Sequence, residues 1–329
     1  MHIVSFDIGA TNTRIAVLDL EGRIIERREE RTKPTPNEAM PFFRQTLGGF
    51  YNNPDYHITY VAGGAPAVVG GIGNGYFIDK PSNMPGWANF RLRESIDSIV
   101  ADIIRKIPGS GHPFVIVEND ANAGAVGAAI TKNNARGNFP LLYCAIGTGF
   151  GGKMVFWDKT EFELYRDPDG KNMELGHQRF SGRAVNMEQI NCGHCPYPDC
   201  AETLLGGKFM KKRYGFNAEE MPFFAQEMVA DNLTNFLSRA KLLFNPATIV
   251  LGGGVANGWG SHFVDRVNFY FSDYCRQQNK PQPRTELSQL GADTNLIGAW
   301  AVAIKTLTGH WPYFDLKKYL ENQAVLYKN

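Results

Sequence analysis

Short apolar runs and amphipathic stretches alternate along most of the chain. Apolar alternation predicts strands over residues 2–7, 13–19 and 23–30, the last two joined by a turn at Glu21 and Gly22. In NEAMPFFRQTLGGF apolar residues recur at helical spacing, which predicts a helix from Pro36 to Phe50 that stops at its glycines. A strand over 58–63 leads into the loop GGAPAVVGGIGNG. Residues 90–107 read as an amphipathic helix, FVIVE at 114–118 as a buried strand, and DANAGAVGAAIT as a helix of small residues. A long helix over 220–243, a buried strand TIVLG at 248–252 and a closing helix near 298–307 complete the series. Such alternation predicts an α/β fold of parallel sheets with crossover helices.

One local pattern occurs twice. In SFDIGATNTRIAV, residues 5–17, an apolar strand ends in Asp7, turns through Gly9, Ala10 and Thr11, and resumes as a strand. LLYCAIGTGFGGKMVF at 141–156 repeats it, with Ile146 and Gly147 in the places of Ile8 and Gly9. Backbone amides in such a turn can approach an anionic oxygen, because Gly9 has no Cβ to hold it away. Either turn taken alone also suits an ordinary hairpin. The repetition favours two related lobes around a nucleotide.

With 329 residues the chain can bury two substantial cores. A formal net charge of +1 provides no general field for nucleic acid or an anionic membrane, so neither is an expected partner and phosphate binding has to be local. No apolar run approaches a membrane span, and the polar start MHIVSFD is no signal peptide; together they predict a cytoplasmic protein. Three of the five cysteines crowd into 192–200 beside histidines, which fits a metal site better than a disulfide framework. Cys144 and Cys275 lie elsewhere and read as packing residues.

The segment ENDAN at 118–122 stands where a buried strand gives way to a helix, at the strand end where open α/β folds bind ligands. A carboxylate there can accept the proton of an attacking hydroxyl. Asn and Asp at a helix start are also good caps, so Asn119 and Asp120 have a structural alternative.

DIGATNTRIAVLD resembles the first phosphate motif of the ROK family of sugar kinases, within the actin/hexokinase superfamily, and further similar motifs span most of residues 1–300. The resemblance implies two actin-like (ribonuclease H-like) lobes, each a mixed sheet with helices, around an interlobe cleft. Residues 1–122, with a closing helix at 298–312, would form the sugar and phosphate lobe; 123–297 would form the nucleotide lobe, with a zinc-binding insertion at 174–205. It implies an ATP-dependent hexose kinase that transfers the γ-phosphoryl group to a sugar hydroxyl, the 6-hydroxyl of glucose first. N-acetylmannosamine, N-acetylglucosamine, fructose, mannose and allose kinases share nearly the same motifs. Repressors of the family carry a DNA-binding segment ahead of this motif, whereas the chain begins just before it, so a kinase is expected over a non-catalytic sugar-binding regulator. Family members are commonly dimers or tetramers, and a homodimer or homotetramer is expected.

Carried over residue by residue, the resemblance makes Asp120 the general base and Asn119 a sugar ligand. Gly9, Ala10, Thr11, Asn12 and Thr13 would face the β- and γ-phosphates of ATP, and Gly147, Thr148 and Gly149 would hold the phosphates from the other lobe. Gly253 and Gly254 match the adenosine-binding loop, and Asp7 would hold Mg²⁺ through water. Sugar contacts fall on Gly64 and Pro66 of a G-x-P loop, Asn83 of N-x-P-G-W, Glu174 and His177 of E-x-G-H, and Glu202 of C-x-E; Trp87 reads as a wall or core residue. His177 with Cys192, Cys195 and Cys200 would close a structural zinc site, three thiolates and one imidazole leaving no open position. The second imidazole nitrogen could then reach the sugar. The chain departs from the family's C-x-C-G-x-x-G-C: it reads CGHCPYPDC, with the first gap one residue longer and Pro196 and Asp199 in place of glycines. Ligation by Cys192 or by His194 stays open. The tail after Gly309 carries an apolar stripe and is either a helix docked on a lobe or a dimer contact.

Overall fold

Three strands linked by short turns open the chain: β1 (His2–Ile8), β2 (Asn12–Leu18) and β3 (Ile24–Arg31), paired antiparallel. They belong to a computed structural model that describes residues 1–69, 75–81, 83–107, 111–133, 135–166, 173–179 and 181–326. Residues 70–74 of the GGAPAVVGGIGNG loop and 327–329 of the tail lie outside the described residues. After α1 (Pro36–Tyr51) comes β4 (Ile58–Ala65), which lies parallel beside β1. A short ribbon, β5 (Val68–Val69) and β6 (Phe77–Ile78), precedes α2 (Leu92–Ile104). Then β7 (Phe114–Asn119) pairs parallel with β4 and runs straight into α3 (Asp120–Ile130). The sheet order is β3-β2-β1-β4-β7.

The second sheet repeats this plan. β8 (Leu141–Ile146), β9 (Phe150–Asp158) and β10 (Glu161–Leu164) are antiparallel. Helices α4 (Ala201–Leu205), α5 (Gly207–Tyr214) and α6 (Phe223–Phe244) follow. Then β11 (Thr248–Gly252) pairs parallel with β8, α7 (Gly254–Gln277) crosses over, and β12 (Arg284–Leu287) pairs parallel with β11. The order β10-β9-β8-β11-β12 matches the first sheet strand for strand. The two copies of the sequence repeat are therefore β1–turn–β2 and β8–turn–β9, the equivalent hairpin of each sheet. Both sheets are mixed, not parallel as alternation alone predicts, because turns of two to five residues can join only antiparallel neighbours.

By its contacts the chain divides into Met1–Asn134 with Asp293–Asn329, and Ala135–Ala292. In the first unit Val4, Phe6, Ile15 and Val17 pack with Phe43 and Leu47 of α1 and Ile96 and Val100 of α2. Trp87 is fully buried there, its indole N–H donating to Lys33 O at 3.0 Å, and so is a core residue. In the second, Leu142, Cys144 and Met154 pack with Phe236 and Leu237 of α6 and with Phe263, Val267 and Cys275 of α7.

The sequence reading begins a second lobe at residue 123, whereas α3 stays with the first unit because it packs on α8 (Thr294–Thr308) at backbone distance. A Cβ added at Gly298 would lie 1.8 Å from Ala123 O, and one at Gly127 would lie 2.1 Å from Thr294 O. Only small residues allow that approach, which is why α3 reads DANAGAVGAAI. The tail forms α9 (Leu316–Leu326), docked on the first unit: Phe314 is buried between Trp300 and Tyr319, and the Tyr319 hydroxyl donates to Asp293 Oδ2 at 2.9 Å. Among the described residues no helix is long and apolar enough to cross a membrane.

Candidate active site

In the first unit the β1–β2 register sets Asp7 opposite Arg14, and the β2–β3 register sets Arg14 opposite Glu29. Arg14 thus lies between two carboxylates, 3.6 Å from Asp7 Oδ2 and 3.1 Å from Glu29 Oε2. Asp7 is 5% exposed and accepts from Asn295 Nδ2 at 2.9 Å. Burial pushes its carboxyl up, against the pull of Asn295 and Arg14. The adjoining turn is held through its carbonyls. Gly9 N–H donates to Asn12 O at 3.0 Å, Thr32 N–H to Thr11 O at 2.9 Å, and the Thr32 hydroxyl to Gly9 O at 2.6 Å. The Thr13 and Thr32 hydroxyls bond at 2.9 Å, so the whole span from Gly9 through Ala10 to Thr13 is tied to the end of β3.

At the end of β7, Asn119 is the N-cap of α3: its Oδ1 accepts from Ala121 N at 3.0 Å and from Asn122 N at 3.4 Å. The structural role considered for Asn119 is therefore realised. Asp120 Oδ1 accepts from the same Ala121 N–H at 2.8 Å, which fixes its rotamer. Below them Glu118 Oε1 accepts from Asn119 N and from Asn122 Nδ2, both at 2.8 Å. Gly64 pairs with Glu118 across β4–β7, and a Cβ there would stand 3.4 Å from Asp120 Cα. Pro66 follows at the end of β4. Asn83 sits on another segment, ahead of the turn Pro85–Trp87, and its Oδ1 is buried without a hydrogen bond among the described residues. Buried acceptors are normally satisfied, so this oxygen is suited to a donor from a ligand.

In the second unit Gly147 N–H donates to Gly149 O at 3.0 Å, and the first amides of α5 close on the same turn: Gly207 N to Gly147 O and Lys208 N to Thr148 O, each at 2.8 Å. Gly253, the N-cap of α7, has φ +88°, and a Cβ there would fall 2.5 Å from Ile146 O. Only glycine brings the start of α7 this close to β8. Gly254 N lies 3.9 Å from where a Gly147 Cβ would stand, so the 147–149 turn and the 253–254 helix start converge. Helix starts with unbonded amides and a positive dipole end favour anions.

The ligand atoms of His177, Cys192, Cys195 and Cys200 all lie within 4.8 Å of one another. His177 Nδ1 is 3.7 Å from Cys192 Sγ, which accepts from the amides of His194 and Cys195 at 3.3 Å each. Burial pushes the Cys192 thiol up, but those amides and the neighbouring thiols outweigh it and hold it below the ordinary range. His194 stacks on His177, ring centroids 5.1 Å apart, and offers none of the four clustered ligand atoms. Three sulfurs and one nitrogen at this spacing fit a tetrahedral zinc ion. Glu202 is 3% exposed, with Oε2 3.7 Å from His177 Nδ1, and Glu174 Oε2 is 4.0 Å from His177 Nε2. Glu174, His177 and Glu202 are thus brought together beside the cysteines.

Sequence reasoning missed Asn295, which touches Asp7, and Lys208, whose Nζ is 4.0 Å from Glu202 Oε1. Neither sits in a motif that pointed to it.

The sequence model of the ROK family matches residues 3–306. An N-acetyl-D-glucosamine kinase of Mannheimia succiniciproducens is 25% identical over 281 residues, 78% of this chain and 84% of that protein. A fructokinase of Zymomonas mobilis is 25% identical over 321 residues, 90% of this chain and 94% of that protein. Among solved structures, a ROK family glucokinase from Streptomyces griseus in complex with glucose and AMPPNP superposes with a TM-score of 0.72 at 22% identity, covering 91% of this chain and 98% of that one. With the family pattern running through nearly the whole length and the doubled mixed sheets beneath it, the chain belongs to the ROK family.

Proposed function

We propose that this chain is an ATP-dependent hexose kinase that transfers the γ-phosphoryl group to a sugar hydroxyl, with the 6-hydroxyl of glucose as the first substrate to test. The observation that carries the reading is the start of α3, where the Asn119 cap and the Ala121 amide hold the Asp120 carboxylate in one rotamer at the end of a sheet strand. Relatives named as kinases of N-acetylglucosamine, fructose and glucose support it.

Bound MgATP would supply the activated phosphoryl group, and the protein's share is alignment and charge neutralisation. In the first unit Asp120 takes the proton of the sugar hydroxyl as general base. The side-chain Nδ2 of Asn119 would donate to the sugar, the buried Oδ1 of Asn83 would accept from it, and Gly64 and Pro66 would line its path. Asp7 would hold Mg²⁺ through water, and the Gly9–Thr13 turn would face the β- and γ-phosphates. In the second unit Gly147, Thr148 and Gly149 with Gly253 and Gly254, where Gly254 N lies 3.9 Å from the place of a Gly147 Cβ, would take the remaining phosphates and the adenosine. Glu174, His177 and Glu202 take sugar hydroxyls. A zinc ion would be structural, held by His177, Cys192, Cys195 and Cys200; ligation through His177 Nδ1, 3.7 Å from Cys192 Sγ, would leave Nε2 for the sugar. The expected assembly is a homodimer or homotetramer in the cytoplasm.

The test is ADP release measured across glucose, fructose, mannose, allose, N-acetylglucosamine and N-acetylmannosamine. Release that depends on at least one of them is expected. None with any of them would overturn the kinase and leave a sugar-binding regulator.

A further inference from the structure

Arg213, in the last turn of α5, is 2% exposed, and its guanidinium joins three separate segments. Nε donates to Thr203 O at 3.2 Å, and Nη1 donates to Glu188 O at 2.8 Å and to Asn186 O at 3.3 Å. Nη2 donates to Thr203 Oγ1 at 3.3 Å and pairs with the Asp199 carboxylate. The Arg213 carbonyl in turn accepts from Asn186 N at 2.8 Å. Asp199 is doubly engaged as well: its carboxylate accepts from Ile190 N at 3.2 Å, and its amide donates to Ile190 O at 2.9 Å.

These contacts fall beside the residues that do the proposed work. Asp199 precedes Cys200, Thr203 follows Glu202, and the 186–190 segment leads into Cys192. Asp199 has φ +61°, the left-handed region that glycine enters freely and an aspartate enters at a cost. It is also where the chain carries Asp in place of a glycine of the cysteine motif. A buried guanidinium needs its donors satisfied and its charge matched, and Asp199 supplies the charge. Such a pair holds a loop in one place more tightly than an unbonded glycine turn, whose backbone has more conformations to leave for. The opposite end of α5, through Gly207 and Lys208, holds the 147–149 turn by backbone bonds that do not involve Arg213.

We propose that Arg213 is a positioning residue which, through its ion pair with Asp199, sets the cysteine loop and Glu202 for the sugar. The sugar part of this inference rests on the kinase reading; the metal part does not.

The experiment uses the purified full-length protein with Asp199→Asn, which removes the charge but keeps an acceptor oxygen, and Asp199→Glu, which restores the charge. Zinc transfer to 4-(2-pyridylazo)resorcinol, KM for the panel sugar the wild type turns over fastest, KM for ATP, and Tm are measured. Asp199→Asn is expected to release zinc about tenfold faster, because the loop that carries Cys192 and Cys200 loses its charged tie to Arg213. Its sugar KM rises about 5- to 10-fold while kcat and ATP KM stay within about twofold, the split left by lost substrate positioning. Asp199→Glu recovers most of both effects. Should Asp199→Asn not fold, Arg213→Lys, which keeps the charge but loses the fork, has to show the same split. Unchanged zinc release and sugar KM, with only a lower Tm, would overturn the proposal, as would an ATP KM that rises in step with the sugar KM. A wild type without sugar-dependent ADP release overturns the kinase reading instead, and zinc release still decides the role of Arg213.

Discussion

Asn295 donates from Nδ2 to Oδ1 of Asp7 at 2.9 Å, joining the first turn of α8 to the end of β1 across 288 residues of chain. The bond orients a carboxylate that burial pushes above its ordinary value of 3.8, despite this donor and Arg14 nearby. A carboxyl raised in the folded state costs stability at neutral pH. That cost is full above the raised value, shrinks as pH falls through it, and is gone below 3.8, where both states are protonated.

Asp7→Asn should therefore stabilise the protein while disabling it. Asparagine keeps an acceptor for Asn295 and sheds the buried charge. Tm at pH 7.5 should rise, by about 2–4 °C for each kcal/mol regained, and turnover should fall on the order of a hundredfold. Thermal scans against pH check the sign: the advantage over wild type must narrow toward acid. An advantage that widens there would count against this account of Asp7.

Asp120→Ala should lower kcat on the order of a hundredfold or more and leave sugar binding nearly unchanged. Asn119 still caps α3 in the variant, so the helix start survives. Coupled ADP release together with sugar-induced thermal shift separates the two effects. A variant that neither turns over nor binds would argue against a base at this position.

Metal analysis should find about one zinc per chain, lost in Cys195→Ser and Cys200→Ser and kept in His194→Ala, because four closed ligands suffice for a structural site. The His194 ring stacks on His177 and offers none of the four clustered ligand atoms. Zinc content by plasma emission, read beside Tm, decides it. Loss of zinc in His194→Ala would return the choice between His194 and Cys192 to the former.

Gly298→Ala should cost about 1–3 kcal/mol, since the new methyl would sit 1.8 Å from Ala123 O and α3 and α8 would have to part. Gly48→Ala in α1 is the control. A Cβ there meets nothing within 4 Å, and replacing a helical glycine should gain about 0.5–1 kcal/mol. Urea unfolding of both variants gives the comparison, and equal signs would refute the packing argument.

Much of this molecule can be read from residues close together in the chain. Alternating or continuous apolar runs mark β1, β2, β4, β7, β8 and β11, and the doubled turn at Gly9 and Gly147 marks the hairpin that both sheets share. The crowding of Cys192, Cys195 and Cys200 marks the cluster, with His177, that could hold a metal. Helix α7 escapes such reading because it starts in glycines and breaks at Gly260, with φ +72°, so its first turns look like loop. β12 escapes because RTEL is short and half charged.

Periodicity reports which side of an element is apolar, a property of a few consecutive residues, and the sequence by itself determines that much. It does not report which element meets that side. The packing of α3 on α8, the gathering of His177 with Cys192, Cys195 and Cys200, and the placing of Asn295 on Asp7 and of Arg213 on Asp199 belong to the tertiary structure. Each depends on backbone paths that bring distant residues within hydrogen-bonding or van der Waals reach, and such distances exist only once the sheets have formed.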